Sequence, residues 1–508
     1  MTDFSALLAA FGTMFTPANL LTCFAGSFIG VIVGALPGIG SLAGVALLLP
    51  LTFKFNPIMG ISLLSSIYYS DMYGGAFSAI LLNIPGDGPA IMTALDGYPI
   101  ARSGKPGKAL MTATLSSFIG GLIGMAILAF SGPILAKFGI RFGPVEMTSL
   151  MIMALGSISW IMGEDPVKGL LTTMFGFIIA TMGVDTLTGM QRFSFGSYHI
   201  MGGINFTPLC IGLFGFSQVL EMMEDRRRQK ERAEAMVTKK LTYRDSLLTG
   251  HEVKRILPPA VRSGFLGTFI GVLPGSGATA SSFLCYALQK AFKSEKKLGE
   301  GALEGVAASE AANNAASAGA FAPMLSLGIP GSASTAIMMG GLMAWGLKPG
   351  PLLFTNSPDF AWSTIASLLI ANVLTLIIAF LIIPLLQNVL RVPIKYMIPF
   401  VTVICFIGAY SVTFSMYHVL IMIIAGLVGY FFKKNHYPLA PILLAVVLCS
   451  LFELNMRRAF TMSNNDISVF VNHPISLAFL IIFVLMMLIN PIRSLIKRIR
   501  GGSAAKKG

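Results

Sequence analysis

The feature that most restricts this chain is a recurrence of apolar stretches about 20 residues long, separated by short polar joints, along its whole length. At 1.5 Å rise per residue, each such stretch covers the roughly 30 Å of a hydrocarbon core. Roughly ten to twelve such crossings fit. Composition agrees, since 55% of the 508 residues are apolar, 11% are charged and the mean hydropathy is +0.77. Inside lipid a segment has to satisfy its own backbone hydrogen bonds, so the expected fold is an all-α polytopic membrane protein rather than a large soluble domain.

A formal charge of +14 would also suit a nucleic-acid binder, so its placement decides the reading. It is concentrated in a few joints. Arg226, Arg227, Arg228, Lys230, Arg232, Lys239, Lys240, Arg244, Lys254 and Arg255 share one connector, and Arg493, Lys497, Arg498, Arg500, Lys506 and Lys507 fall in the final stretch. Basic joints beside spans mark the cytoplasmic face. A nucleic-acid partner is not expected. The five cysteines (Cys23, Cys210, Cys285, Cys405 and Cys449) lie in apolar segments without a CxxC pair, which argues against disulfides and a zinc site. The first apolar run, 4–15, has no basic lead-in or small-residue cleavage pattern, so no cleaved signal peptide is expected.

The polar connector 224–259 separates two halves that open with one phrase: Gly34-Ala-Leu-Pro37-Gly38-Ile-Gly40 and Gly271-Val-Leu-Pro274-Gly275-Ser276-Gly277. A second phrase also recurs, Asn83-Ile-Pro85-Gly86-Asp87 and Gly328-Ile-Pro330-Gly331-Ser332, with lead-ins Gly75-Ala-Phe77 and Gly319-Ala-Phe321. One Pro-Gly in an apolar run is commonly a kink. Four of them, paired in order across two halves, mark an internal repeat, and interrupted spans at matching places point to a transporter's midplane site. The organisation read from this is an N-terminal segment 1–17, a first transmembrane repeat 18–223, a cytoplasmic connector 224–259 and a second repeat 260–454. Residues 455–508 then hold an extracytoplasmic loop, a last transmembrane helix and a basic cytoplasmic tail.

Between Ala260 and Leu273 there are about 14 residues, or roughly 21 Å of helix, too short to span. The following arm, from Ala278, ends at Lys290, Lys293, Lys296 and Lys297, so the pair is expected to be a re-entrant hairpin entered from the cytosol. Its first-half counterpart, 20–36 with 42–51, ends at a joint holding only Lys54. That poverty in positive charge favours the opposite membrane face and makes the repeats inverted. The stretch from Asn455 to Pro474, with Arg457, Arg458 and Asp466, is expected to be a solvated outer loop, or else a contact surface for an extracytoplasmic partner.

Broken backbone at membrane depth needs a polar cavity to line. A helix restarting after Pro-Gly presents unpaired N–H groups and the positive end of its dipole, and carboxylates are natural ligands for both. The candidate substrate residues are therefore Pro37, Gly38 and Ser41 at the first break and Asn83, Pro85 and Gly86 at the second. Pro274, Gly275, Ser276 and Thr279 serve the third, and Pro330, Gly331, Ser332, Ser334 and Thr335 the fourth. The hydroxyls among them could instead only cap helix starts. Glu310, Asn313 and Asn314, with Asp71 among Tyr68, Tyr69, Tyr73, Gly74 and Gly75 at the matching place in the first half, are candidate ion ligands. Amide and carbonyl oxygens suit Na⁺, although small-residue helix packing would also explain the second segment.

The phrases Gly34-Ala-Leu-Pro-Gly, Gly271-Val-Leu-Pro-Gly-Ser-Gly-Ala-Thr279, Glu310-Ala-Ala-Asn-Asn-Ala-Ala and Leu327-Gly-Ile-Pro-Gly-Ser332 together resemble those of the large membrane subunit of the tripartite tricarboxylate transporters, from about residue 20 to about residue 490. The resemblance implies uptake of citrate or a related carboxylate across a bacterial inner membrane. It also implies two partners, a small four-helix membrane subunit and a periplasmic solute-binding protein that delivers substrate. Asp87 departs from the glutamate or similar group expected after Pro85-Gly86, and Arg457-Arg458 sits in a late segment outside the motifs. Substrate identity stays open among tricarboxylates, dicarboxylates and aromatic acids.

Two other classes compete. An intramembrane serine hydrolase could use Ser276 in its glycine-rich turn, but it needs a base within reach. His251 and His436 lie in connectors and His199, His418 and His473 near span ends, while Lys54 is the one lysine near a span interior. A carboxylate channel is the other rival, and opposed hairpins in inverted repeats fit alternating access better. No nucleotide-binding P-loop is present, so coupling to an Na⁺ or H⁺ gradient is expected, with no other cofactor and no enzymatic activity.

Overall fold

The computed structural model describes residues 4–487 apart from 37–39, 162–165, 186–187, 225–240, 275–276, 387–389 and 391–392. Leaving out single-turn helices, the first half contains α1 (Phe4–Met14), α2 (Pro17–Ala35), α3 (Gly40–Thr52), α4 (Pro57–Leu82), α5 (Ala90–Arg102), α6 (Pro106–Gly139), α7 (Pro144–Ile161), α8 (Pro166–Thr181) and α9 (Phe206–Glu224). The second contains α10 (Gly250–Val272), α11 (Gly277–Gln289), α12 (Leu303–Gly319), α13 (Phe321–Leu327), α14 (Ala333–Ala344), α15 (Pro358–Ile382), α16 (Ile394–Ser411), α17 (Met416–Lys434), α18 (Ala440–Met462) and α19 (Pro474–Met487). Among the described residues, the β-structure is one two-residue antiparallel pair, β1 (Gly183–Val184) with β2 (Gln191–Arg192). The expected all-α polytopic membrane fold is what the chain adopts.

Among the described residues six helices are long and apolar enough to cross a membrane: α2, α6, α9, α15 with its extension to Leu385, α17 and α18. They keep large apolar side chains on their outer faces, such as Leu122, Phe130 and Ile134 on α6, which is where lipid would lie. The two elements that carry the polar candidates are not among the six. From Gly60 to Leu82 every residue of α4 is buried, and so is every residue of α12. Protein rather than hydrocarbon surrounds them; Tyr69 and Tyr73 donate to Asn372 and Glu310 accepts from Ser117, while Asp71 and the side chain of Asn313 are buried without a hydrogen-bond partner.

The repeat is visible in the backbone. α2 and α10 both stop at a leucine in extended conformation, Leu36 (φ −76°, ψ 112°) and Leu273 (φ −73°, ψ 123°). Their partners restart at left-handed glycines, Gly40 (φ +64°) and Gly277 (φ +59°). α4 and α13 end at Asn83 (φ 56°) and Gly328 (φ 69°), a left-handed cap that asparagine tolerates better than most side chains. Small residues set the packing: a Cβ on Gly34 would meet the Asp71 carbonyl at 2.1 Å, and one on Gly271 the Ala316 carbonyl at 2.3 Å. This packing corrects one sequence match. Gly74 lies against Val31, Gly34 and Ala35 as Gly319 lies against Thr268, Gly271 and Val272, so Gly319 matches Gly74, and Gly75 corresponds to Ala320. The closest backbone approach fixes the register of two packed helices, and the Gly-Ala-Phe string is displaced from it by one residue.

Two further expectations change. α10 begins at Gly250, with Thr249 and Glu252 forming a capping box, and runs 23 residues through Pro258 and Pro259. That is about 34 Å, so the arm is not short, and the hairpin reading rests on the break after Leu273 and on the 13-residue α11. Likewise the segment after Asn455 is not a loop at its start, because α18 continues to Met462. Arg457 on its last turns pairs with Asp185 at 3.0 Å and with Glu453, and Glu453 also holds Arg192 at 2.7 Å. These pairs tie the β-hairpin to α18.

Candidate functional site

A cavity of about 520 Å³ lies where the broken segments meet. It is lined by Gly40 and Ser41 at the start of α3, Gly86 to Pro89 before α5, Gly277 to Ala280 at the start of α11, and Ser332 to Ser334 at the start of α14. Tyr68 and Met72 of α4 and Phe283 of α11 complete the wall. Described residues that flank all four breaks thus reach one space, two breaks from each half.

The contacts cross between halves. The Ser41 and Ser334 hydroxyls lie 3.4 Å apart, joining the first break of one half to the second break of the other. At the complementary place Gly88 lies close to Thr279, since a Cβ on Gly88 would meet Thr279 Oγ1 at 2.6 Å. Ser332 caps α14, its Oγ accepting from the Thr335 N–H at 3.2 Å while Thr335 Oγ1 accepts from the Ser332 N–H at 2.8 Å. The Tyr68 hydroxyl approaches Ser332 Oγ at 3.4 Å. Four helices of 12 or 13 residues therefore direct their N-termini at one cavity, each contributing about half a positive charge together with N–H groups not used within the helix. Among its described lining residues there is no lysine, arginine or histidine, and Asp87 is the one charged side chain.

The sequence candidates divide accordingly. Ser41, Gly86, Thr279, Ser332 and Ser334 line the cavity. Thr335 does not, because its hydroxyl is used within the cap. Asn83 is an exposed left-handed cap, and Gly331 is pressed against Ala320, where a Cβ would meet backbone at 2.7 Å. Pro85 and Pro330 shape the breaks without lining the space, and Pro274 ends the turn after α10. Pro37, Gly38, Gly275 and Ser276 lie outside the described residues. The sequence reading placed Asp87 among departures rather than in the site. The signal was there, since a carboxylate directly after Pro-Gly in an apolar run is costly unless used.

The ion candidates sit beside the cavity on α4 and α12. Glu310 is anchored by the Thr93 hydroxyl and by Ser117 Oγ at 3.1 Å. Asn314 Nδ2 donates to the Tyr69 carbonyl at 3.5 Å, and its Oδ1 has no partner. Asn313 is buried against Glu310, and its backbone carbonyl accepts from Ser317. Asp71 is fully buried, and neither of its carboxylate oxygens has a hydrogen bond. A buried carboxylate in that condition is expensive and needs a proton or a cation.

Fold and site together define a multi-pass membrane transporter. Residues 20–444 match the tripartite tricarboxylate transporter TctA family, and the chain belongs to that family. It is 37% identical over 495 residues, 96% of its length and 97% of the relative's, to an uncharacterized 52.8 kDa protein in the TAR-I ttuC' 3'region of Agrobacterium vitis. A second uncharacterized Agrobacterium vitis protein, in the TAR-II ttuC' 3'region, is 37% identical over 232 residues, covering 45% of this chain and 96% of that one. No solved structure matches.

Proposed function

We propose that the chain imports a small carboxylate, citrate or another tri- or dicarboxylate, across a bacterial inner membrane by cation-coupled alternating access. The observation that carries this is the convergence of four helix N-termini, two from each half, on a cavity lined by hydroxyls and free of basic side chains among its described residues. Such a site binds carboxylate oxygens through N–H groups and dipoles, as helix starts do for anions generally. Family membership supports work within a tripartite system. Its partners in this reading are a small four-helix membrane subunit and a periplasmic solute-binding protein.

Inverted repeats are part of the reading. Around the second-half hairpin, Arg255 pairs with Glu304 and Lys108 with Glu252, and Lys290, Lys293, Lys296 and Lys297 follow α11. Around the first-half hairpin the corresponding ends meet Phe53 packed edge-on to Trp345, with Lys54 next to the one and Lys348 three residues from the other, a smaller basic charge than at the second-half hairpin. The basic mouth belongs on the cytoplasmic side and the aromatic one on the other. The test is uptake into vesicles holding the full chain with its partner subunits, under imposed Na⁺ or proton gradients, with carboxylic acids as competitors. Saturable accumulation driven by one gradient is expected. Equilibration without accumulation under either gradient would indicate a channel instead.

A further inference from the structure

The cavity offers positive helix ends to an anion, yet its one charged wall residue, Asp87, is itself an anion. Asp87 Oδ1 lies 3.0 Å from the point where a Cβ on Gly75 would stand. Gly75 and Asp71 are four residues apart on α4 and so share a face of that helix. The two carboxylates therefore sit about one helical turn apart, and each lies in the other's field. Neither Asp71 nor Asp87 has a hydrogen bond of ordinary geometry to its oxygens; the backbone donors nearest Asp87 are its own and that of Ala90. Ion pairs among the described residues lie elsewhere, at Lys108–Glu252, Arg255–Glu304 and Asp185–Arg457. The other groups around the pair are Tyr68, in the field of both carboxylates, and Glu310, in that of Asp87 with Tyr73 beyond it; none is a cation.

We propose that Asp71 and Asp87 jointly take up one monovalent cation, a sodium ion or a proton, and that the cavity accepts its anionic substrate only after they have done so. This rests on the anion reading of the cavity and adds the order of binding. Asp71 is sealed from the cavity's wall and Asp87 forms part of it, so Asp87 reports the occupancy of a buried ion site to the substrate. With the pair unneutralised, an incoming carboxylate meets a buried like charge with no counterion, which is worth more than about ten-fold in affinity at short range. With the pair neutralised, only the four helix ends remain. The coupling therefore needs no moving contact between separate ion and substrate sites. It also makes either ligand alone a poor trigger for the transport step.

The experiment uses the full chain in nanodiscs, with citrate as probe, in choline and in sodium buffers at alkaline and at mildly acidic pH. Wild type is expected to bind citrate more than about ten-fold more weakly in alkaline choline than in the buffer that supplies the cation. Restoration by sodium at fixed pH identifies a metal ion, and restoration by acid without sodium identifies a proton. Asp87→Asn should bind citrate in alkaline choline as tightly as in sodium. Gly75→Ala, which moves the Asp87 carboxylate, should raise the cation concentration at half-effect. Without citrate, the same cation should raise the melting temperature of wild type but not of Asp71→Asn, with size-exclusion profiles confirming that the variants are folded. Equal citrate affinity of wild type in all four buffers, or full cation dependence in Asp87→Asn, would overturn the proposal. Cation stabilisation of wild type alone, with citrate bound in no buffer, would keep the cation site and overturn the anion reading beneath it.

Discussion

Glycines at the four breaks look alike in sequence but do different work. Gly88 faces the cavity, and an added methyl there meets only the Thr279 side chain, Oγ1 at 2.6 Å and Cγ2 at 3.2 Å, so that side chain must shift. Gly331 meets the Ala320 backbone. Gly88→Ala should therefore leave the protein folded but draw Thr279 off the substrate, raising KM for uptake about ten-fold, the equivalent of one hydrogen bond to a charged group. Gly331→Ala should cost about 1–3 kcal/mol by overpacking and show first as reduced yield and a lower melting temperature. A transport-only defect in Gly331→Ala would contradict that assignment. Sequence reading named both Gly86 and Gly331 because Pro-Gly marks a break; it could not show that both are also close helix contacts, Gly86 against the Gly34 carbonyl and Gly75 and Gly331 against Ala320, because that depends on which helix lies opposite. Ser41, Thr279, Ser332 and Ser334, named from their place just after a break, line the cavity, whereas Thr335, named on the same ground, turns its hydroxyl into the helix cap.

At the scale of elements, the positions of the breaks were legible and the lengths of the arms were not. The Thr249–Glu252 capping box starts α10 ahead of two prolines that read as a terminator. A proline pair inside a helix is tolerated where neighbouring helices hold the segment, and here α10 packs along both α12 and α6. The end of α18 was hidden for a related reason, as Arg457 reads as a solvated loop residue until Glu453 one turn earlier and Asp185 from a distant hairpin are set beside it. Arg457→Ala should loosen that hairpin and lower the melting temperature slightly, an exposed ion pair contributing little, while leaving substrate affinity unchanged. A melting curve identical to wild type would show that the network contributes nothing.

For the whole molecule, the matching backbone at the paired breaks was legible because Pro-Gly pairs recur in order, and the register of that match was not, because one residue separates the string match from the packing match at Gly74 and Gly319. Burial of α4 and α12 was also beyond sequence, since their polar character alone does not say whether protein or water surrounds them. The inverted arrangement predicts opposite labelling: Lys296→Cys should react with an impermeant thiol reagent only from the cytoplasmic side and Lys54→Cys only from the other. Labelling of both from one side would reject the inversion. Recognition of negative charge by the helix ends around the cavity is measured by competition. In vesicles taking up labelled citrate, unlabelled carboxylic acids should compete while their neutral amides, matched in size, should not. Competition by an amide at concentrations similar to its parent acid would contradict such recognition and leave the four breaks as structural features only.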